Sequence, residues 1–172
     1  RRWCVYRLET RPGETKPAKI PYNALTNERE NNPSKGCTYD EALYSLRMMS
    51  YDGLAFFTGD ATDLGFPGYR FFLYDFDGVR NASTGEITDP DAAPIVTHMT
   101  GGGACWEVSQ SREGFHIFGL VRAADMDGHR TRDLHRFEFY SQGRFIALGR
   151  SGIDGWSGDW RLDWTDFMLA RL

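Results

Sequence analysis

The sequence predicts an α+β domain with a mainly antiparallel sheet and flanking helices. Two observations favour this class: stretches with strand-like alternation of apolar side chains outnumber those with helical spacing, and several are joined by short polar turns, as antiparallel neighbours are. The chain has 172 residues, of which 41% are hydrophobic and 15% aromatic. Because that length is enough for one sizeable core, we expect residues 1–172 to form a single domain.

The first third of the chain contains one predicted strand and one predicted helix. Residues 3–9 alternate as a strand does, and residues 11–23, rich in proline, glycine and lysine, are predicted to form a turn. After a polar loop, Thr38 and Glu41 have the spacing of a capping box, and apolar residues follow at helical spacing. This is the clearest helix in the sequence.

The middle of the chain is predicted to contain two strands and a short helix. The strands cover residues 53–59 and 69–77 and are joined by a loop of glycine and proline. A short helix is predicted in DPDAAPIVTHM, where Pro90 suits a first turn and Pro94 limits the length, and Gly101–Gly103 are predicted to end it.

Two hairpins are predicted in the rest of the chain. The first joins ACWEVSQ to GFHIFGLVR through the turn SREG, and the second lies in HRFEFYSQGRFIALG and turns at residues 141–143. The C-terminal stretch WSGDWRLDWTDFMLARL is predicted to be a loop that leads into a short helix.

Composition excludes several classes of protein. Cys4, Cys37 and Cys105 are odd in number, widely spaced and without a CxxC pair, which disfavours a zinc site of paired cysteines and a disulfide framework and favours a reduced, cytosolic chain. Neither a signal peptide nor an apolar run of about 18 residues occurs, so no contact with a membrane is predicted. Since the net charge is −4, nucleic acid would have to bind at local basic patches, weakly and with strong salt dependence.

Acidic residues end the most aromatic strand. FFLYDFDG carries Asp75 and Asp77, which share one face if the strand continues, and Glu138 lies between two phenylalanines on another predicted strand. Carboxylates that are brought together repel one another unless a cation neutralises them, and hard divalent cations prefer oxygen ligands. The alternative is that each acid is solvated or paired with an arginine at an exposed strand end.

The turn before His116 suits an anion. SQSREG offers the hydroxyls of Ser109 and Ser111, the guanidinium of Arg112 and backbone N–H groups that the glycine makes accessible. All of these groups bind phosphate oxygens well. The alternative for His116, which precedes two apolar residues, is a histidine at the edge of the core that is satisfied by a backbone carbonyl.

Further basic residues are candidates for contacts with phosphate. The predicted second hairpin returns Arg144 to the vicinity of Glu138, either as a structural ion pair or as a clamp for a triphosphate. Lys16 and Lys19 lie in a turn stiffened by proline and are either solvated or placed to hold a phosphate or a template strand. A local basic patch is also predicted in the loop DGHRTRDLHR, at Arg130, Arg132 and Arg136.

Four of these segments, in this order, resemble the primase-polymerase family of the archaeo-eukaryotic primase superfamily, above all the catalytic domains of phage and plasmid replication proteins. They are AKIPYN, FFLYDFDGVRNASTGEI, WEVSQSREGFHIFG and RFEFYSQGRFIALG. The family pattern is a hydrophobic strand that ends in Asp-x-Asp, a serine-rich turn with Gly-x-His, and a hydrophobic-acid-hydrophobic-Tyr strand that leads to Gly-Arg-Phe. Gln110 stands where the family usually has proline, and Phe76 replaces the usual aliphatic residue between the two acids.

The resemblance implies an RRM-like catalytic core and a role for each matching residue. Asp75, Asp77 and Glu138 match the acids that bind two Mg²⁺ or Mn²⁺ ions, and His116 matches the histidine that contacts the phosphates of the incoming nucleotide. Further nucleotide contacts are implied at Ser111, Arg112, Arg144 and Lys19.

The implied activity is that of a DNA primase and DNA polymerase working by two-metal nucleotidyl transfer. Its partners would be a DNA template and primer, nucleoside triphosphates and a fused or partner helicase, in the cytoplasm of a prokaryote, in the context of phage or plasmid replication. Because the chain opens with Arg1 instead of Met, we expect it to be a fragment of a larger replication protein.

Two other functions are compatible with the sequence. One is a nucleic-acid-binding module for replication initiation, which keeps the fold but synthesises little on its own. The other is a secreted, β-rich carbohydrate-binding domain with a Ca²⁺ site at DFDG, for which the five tryptophans and 19 glycines are suitable. That alternative predicts exposed aromatic platforms.

Overall fold

The structure is a computed structural model that describes residues 1–128, 131–134, 137–149 and 157–171, with the backbone alone for 131–134. These residues form two compact units, Arg1–Phe57 with Phe145–Leu148, and Thr58–Arg144 with Gly149–Leu172. Each unit contains an antiparallel sheet and at least one helix, which confirms the α+β class. None of the helices in the described ranges is both long and apolar enough to cross a membrane.

The described strands and helices are numbered in chain order. The strands are β1 (Trp3–Glu9), β2 (Ala18–Tyr22), β3 (Gly53–Phe57), β4 (Gly59–Asp60), β5 (Tyr69–Phe76), β6 (Cys105–Val108), β7 (Phe115–Arg122), β8 (Thr131–Leu134), β9 (Phe137–Tyr140) and β10 (Phe145–Ala147). The α-helices are α1 (Tyr39–Met48), α2 (Ala92–Gly101) and α3 (Thr165–Leu169). Short 3₁₀ helices lie at Pro33–Lys35, Thr62–Leu64 and Ala124–Met126.

The first unit is a four-stranded sheet in the order β10-β3-β1-β2, with helix α1. The predicted capping box is present: the Thr38 hydroxyl accepts a hydrogen bond from the Glu41 backbone N–H, and the Glu41 carboxylate accepts one from the Thr38 N–H. Two of the four orphan donors at the start of the helix are thereby satisfied. A small core of five buried side chains lies on the sheet: Cys4, Tyr6, Ala55, Phe57 and Ala147.

The second unit is built on a sheet in the order β6-β7-β5-β9-β8, with β4 also paired to β5. Strand β5 is central, and its alternate residues Phe72, Tyr74 and Phe76 are fully buried in the main core. Helices α2 and α3 supply Val96, Met99 and Met168 to the same core, so both helices cover this face. The alternation in β5 leaves Asp75 on the opposite face of the sheet.

Helix α2 begins later than the sequence suggested and ends at the predicted glycines. It spans Ala92–Gly101, and Pro94 lies in its first turn, where a missing backbone N–H leaves no intrahelical bond unmade. The carboxylate of Asp89, upstream of the helix, accepts hydrogen bonds from the N–H groups of Asp91 and Ala92. Pro94 therefore sets no end to the helix.

Two local predictions were wrong. The end of the predicted turn at residues 11–23 is strand β2, which tolerates Pro21 because it lies at the edge of its sheet, where a missing donor is least costly. The second predicted hairpin does not form, since β9 pairs with β5 and β8 whereas β10 pairs with β3 in the first unit. Both edges of β9 are already occupied, so a strand that follows it has to pair elsewhere.

Candidate functional site

Asp75 lies beside two of the other predicted site residues. In the register of the sheet it is directly opposite His116 on β7 and directly opposite Glu138 on β9. Residues that are directly opposite one another in antiparallel pairs point to the same face of the sheet. Three residues from three distant segments of the sequence are thus side by side on the face turned away from helices α2 and α3.

The row of polar residues continues across the sheet in both directions. Glu107 on β6 is directly opposite His116, and on the other side Asp133 on β8 is the register partner of Glu138. Along the row, the order is Glu107, His116, Asp75, Glu138 and Asp133. Four acids and one histidine therefore occupy a single line across five strands.

His116 is held between two carboxylates. Its side chain is 6% exposed; Nδ1 lies 2.7 Å from Oε1 of Glu107, and Nε2 lies 3.6 Å from Oδ1 of Asp75. Its partner is a buried carboxylate and not the backbone carbonyl of the alternative interpretation. The side chain of Asp75 is 17% exposed, so the polar row meets solvent on the Asp75 side of the histidine.

Glu138 is held by a tyrosine from its own strand. The hydroxyl of Tyr140 donates to Oε2 of Glu138, which is exposed. Burial, and then this hydrogen bond, raise the pKa of the Tyr140 phenol well above its usual value. The phenol therefore stays protonated and remains a donor to the carboxylate at neutral pH.

Arg144 lies near Glu138 through the same tyrosine. Its guanidinium carbon is 4.6 Å from the centre of the Tyr140 ring, a cation–π arrangement, and the Arg144 side chain is exposed. The residue comes to this place without the predicted hairpin, because the backbone of Arg144 is hydrogen-bonded to Thr58.

Asp77 lies just past the end of β5. The strand ends at Phe76, and Asp77 is exposed in the turn that follows, where Gly78 has a φ of +65°. A positive φ is readily adopted by glycine, so this turn ends the strict alternation from which a common face for Asp75 and Asp77 was predicted. The carboxylate of Asp77 is consequently positioned by a turn and not by the sheet.

The two serines of SQSREG make hydrogen bonds within this segment. The hydroxyl oxygens of Ser109 and Ser111 are 3.0 Å apart, and Ser111 Oγ accepts a hydrogen bond of 3.2 Å from the Glu113 N–H. Arg112 has a φ of +67°, an unusual conformation for a residue other than glycine, and its side chain is exposed. The turn thus presents Arg112 to solvent at the end of β7 where His116 lies.

Arg80, which the sequence analysis did not single out, joins this turn to the segment after β5. Its backbone N–H donates to the carbonyl of Glu113, and its guanidinium donates to the carbonyl of Arg112 at 2.6 Å. A second arginine is thereby brought to the turn. The signal in the sequence was its position three residues after Asp77, at a distance that a tight turn can fold back.

The remaining predicted basic residues include Lys19 and the patch at Arg130, Arg132 and Arg136. Lys19 is exposed on β2 of the first unit, opposite Leu8 of β1. Of the predicted basic patch, Arg130 and Arg136 lie outside the described residues, and Arg132 is described by its backbone alone, in β8.

The donor set partly fits a divalent cation. Carboxylate oxygens from Asp75 and Glu138 face the same side on adjacent strands, and these are ligands that Mg²⁺ and Mn²⁺ prefer. Within the described ranges, however, no three His, Cys, Asp or Glu side chains are grouped closely enough to hold a metal ion. The donor atoms are therefore of the right kind for these cations, but they are not grouped closely enough to hold one in this structure. The side chains of Asp77 and Glu138 are exposed and have room to change rotamer.

Glu107 and Tyr140 are the functional candidates that the sequence analysis missed. Glu107 is an acid within an otherwise apolar strand, and the predicted hairpin around SREG already implied a partner for it near His116. Tyr140 belongs to the FEFY motif. Its hydrogen bond to Glu138 depends on the rotamers of two side chains on the same face of one strand, which the sequence pattern does not show.

The carbohydrate-binding alternative required exposed aromatic platforms. Among the described tryptophans, Trp164 is buried and the others are partly buried: Trp3, Trp106 and Trp160. Tyr44 is the one aromatic side chain among the large hydrophobic residues found exposed in the described ranges. These residues therefore do not form an aromatic platform.

Comparisons with known proteins add no support to the resemblance, which depends on the motif residues alone. Neither a scan against models of protein families nor a search of curated proteins found a match for this chain.

Proposed function

We propose that this chain is a nucleotidyltransferase, a DNA primase and polymerase that extends a strand on a template. The proposal rests on one observation: Asp75 has His116 directly opposite on one neighbouring strand and Glu138 directly opposite on the other. Nucleotidyl transfer needs carboxylates to hold divalent cations, and it needs groups that bind phosphate because the phosphoryl oxygens carry negative charge in the transition state. The row across the sheet supplies both kinds of group.

The electrostatics of the row favour a functional role for its acids. Like charges directly opposite one another destabilise an antiparallel pair, and Asp75 and Glu138 form such a pair. The hydroxyl of Tyr140, which donates to Glu138, offsets part of this repulsion, and we infer that a bound cation would offset more of it. Two Mg²⁺ or Mn²⁺ ions held by these acids and Asp77 would supply the positive charge that activates a primer 3′-hydroxyl and stabilises departing pyrophosphate.

The basic side chains near the row bind and orient the triphosphate in this proposal. Arg112 is exposed on the turn that precedes β7, and Arg144 is exposed over the ring of Tyr140. A guanidinium matches two phosphate oxygens at once, which fixes the direction of the phosphate chain as well as its charge. His116 presents Nε2 on the side of Asp75, where the transferred phosphoryl group would lie.

The template and primer are held weakly by this chain alone. Its net charge is −4, so binding to DNA depends on local contacts and falls steeply with salt. Lys19 is a candidate for such a contact because it is exposed. A fused or partner helicase would supply the remaining affinity by keeping the DNA at a high local concentration.

Primer extension with a labelled primer–template, all four dNTPs and Mg²⁺ or Mn²⁺ tests the proposal. We expect product from the wild-type chain and none above background from Asp75→Asn or Glu138→Gln. Asp166→Asn is the matched control: this acid is 88% exposed on α3, on the side of the sheet away from the row, and its variant should extend the primer normally.

The outcomes separate the candidate functions. No synthesis by the wild-type chain beyond that of Asp75→Asn would reject the polymerase. If the same protein still bound DNA, the binding module for replication initiation would replace it. Circular dichroism of each variant shows that any loss of product is not a loss of fold.

A further inference from the structure

Glu107 is an acid in a place where acids are seldom found. Its side chain is fully buried, and it lies on β6 directly opposite His116. Oε1 accepts hydrogen bonds from Nδ1 of His116 at 2.7 Å and from the backbone N–H of Gly149 at 2.9 Å. Oε2 is also buried, and it has no hydrogen-bond partner among the described residues. Burying a carboxylate costs free energy unless hydrogen bonds or opposite charges offset it, and here hydrogen bonds from the described residues reach Oε1 alone.

The backbone at Gly149 lies unusually close to the backbone of Val108 on β6. A Cβ at position 149 would lie 2.3 Å from the carbonyl oxygen of Val108, so only glycine fits without a shift of the chain. The close approach brings the Gly149 N–H within hydrogen-bonding distance of Glu107 Oε1. The carboxylate is therefore fixed from two directions, by the backbone after β10 and by the imidazole on β7.

The hydrogen bond to Glu107 determines how His116 faces the site. Oε1 of Glu107 already accepts a hydrogen bond from the Gly149 N–H, so we assign it the same acceptor role towards Nδ1 of the imidazole. With Nδ1 directed towards the buried side of the row, the ring presents Nε2 towards Asp75, at 3.6 Å from Oδ1. Carboxylates that orient histidines in this way are common behind reactive or metal-binding imidazoles.

We propose that Glu107 is the positioning residue for His116, which it holds in one ring orientation through Nδ1 so that Nε2 faces the acids of the row. The catalytic consequence rests on the proposed function, because His116 has to bind phosphate for its orientation to affect turnover. The hydrogen bond itself does not depend on that function. It can be measured in the resting protein without any substrate.

NMR of the imidazole N–H protons tests the hydrogen bond directly. We expect a slowly exchanging Nδ1–H resonance that His116→Gln removes, which assigns it. Glu107→Gln should move the resonance upfield because a neutral amide oxygen is a weaker acceptor than a carboxylate, and Glu107→Met should abolish it. A resonance unchanged in both Glu107 variants would overturn the proposal.

Kinetics and stability together distinguish positioning from a purely structural role. Glu107→Met removes the shared acceptor of two buried donors, so it should lower the melting temperature, and its kcat has to be measured well below the unfolding transition. Its kcat should fall by about 10- to 100-fold, the size of effect seen when an orienting partner is lost, and Glu107→Gln should retain more of the rate. If Glu107→Met turned over normally, the positioning role would be excluded.

The two proposals fail in different ways. A wild-type chain without synthesis rejects the polymerase and leaves the NMR experiment to decide whether Glu107 orients His116. If Glu107→Met does not fold, Glu107→Gln decides, since the wild-type resonance position in that variant counts against the proposal.

Discussion

The backbone carbonyl of Phe76 occupies the space that a side chain on Gly114 would need. A Cβ at position 114 would lie 2.1 Å from this oxygen, far inside van der Waals contact. Phe76 separates Asp75 from Asp77, and Gly114 is the last residue of the SREG turn. The close contact therefore packs that turn directly against the strand end that carries the acids.

Gly114→Ala should consequently push the turn away from β5. We expect it to lower the free energy of unfolding by about 1–3 kcal/mol, the usual cost of overpacking, and to reduce primer extension as well. Urea denaturation measures the first effect. Gly101→Ala is the control, because a Cβ there meets no atom within 4 Å and helix α2 already includes the residue. Equal stability of the two variants would contradict the close contact.

Stability at alkaline pH should depend on Tyr140. Burial and the hydrogen bond to Glu138 raise the pKa of this phenol in the folded protein above its unfolded value of about 10. The resulting stabilisation is complete below about pH 10 and is lost as the pH rises towards the folded pKa. The free energy of unfolding should thus fall more steeply above about pH 10 for the wild type than for Tyr140→Phe. Parallel curves for the two proteins would rule out the shift.

The three cysteines should be unreactive in the folded protein. Cys4, Cys37 and Cys105 are free and buried, as expected for a chain without a disulfide framework. Burial raises the pKa of the Cys37 thiol to about 11 and that of Cys105 to about 12, so little thiolate exists near neutral pH. A thiol reagent such as DTNB should label none of them until a denaturant is added. Rapid labelling of one thiol in native buffer would show that its environment is open.

Divalent cations with a nucleotide should stabilise the protein through the acids of the row. A ligand present at about 100 times its Kd adds about 2.7 kcal/mol to the free energy of unfolding. We expect Mg²⁺ with a dNTP to raise the melting temperature of the wild type and of Asp166→Asn, and to raise that of Asp75→Asn much less. Chelation with EDTA should reverse the effect. An equal rise in Asp75→Asn would mean that the ligand binds elsewhere.

Features encoded within a few residues were predicted well. The strand at residues 3–9, the capping box at Thr38 and the hairpin around SREG all occur where the sequence indicated. Each depends on local periodicity, on a side chain that reaches its own backbone, or on a short turn. Such features are stabilised by neighbours in the chain, so a short window contains the information that specifies them.

Features that depend on distant partners were predicted poorly. The pairing of β10 with β3 and not with β9 follows from the occupation of both edges of β9, which the local pattern around residues 141–143 does not reveal. Strand β2 was predicted as a turn because proline disfavours strands, although an edge position accepts it.

The α+β class and the apolar strand that ends in Asp75 could be read from the sequence, as could the acids and the histidine on which the proposed function rests. The pairing of the strands was needed to show that Asp75 has His116 and Glu138 as its two neighbours, and that a buried Glu107 lies behind the histidine. The physical reason is the range of the interactions. Alternation along one strand selects the face on which a side chain lies, whereas its neighbours across the sheet are selected by the burial of whole faces and the competition for strand edges.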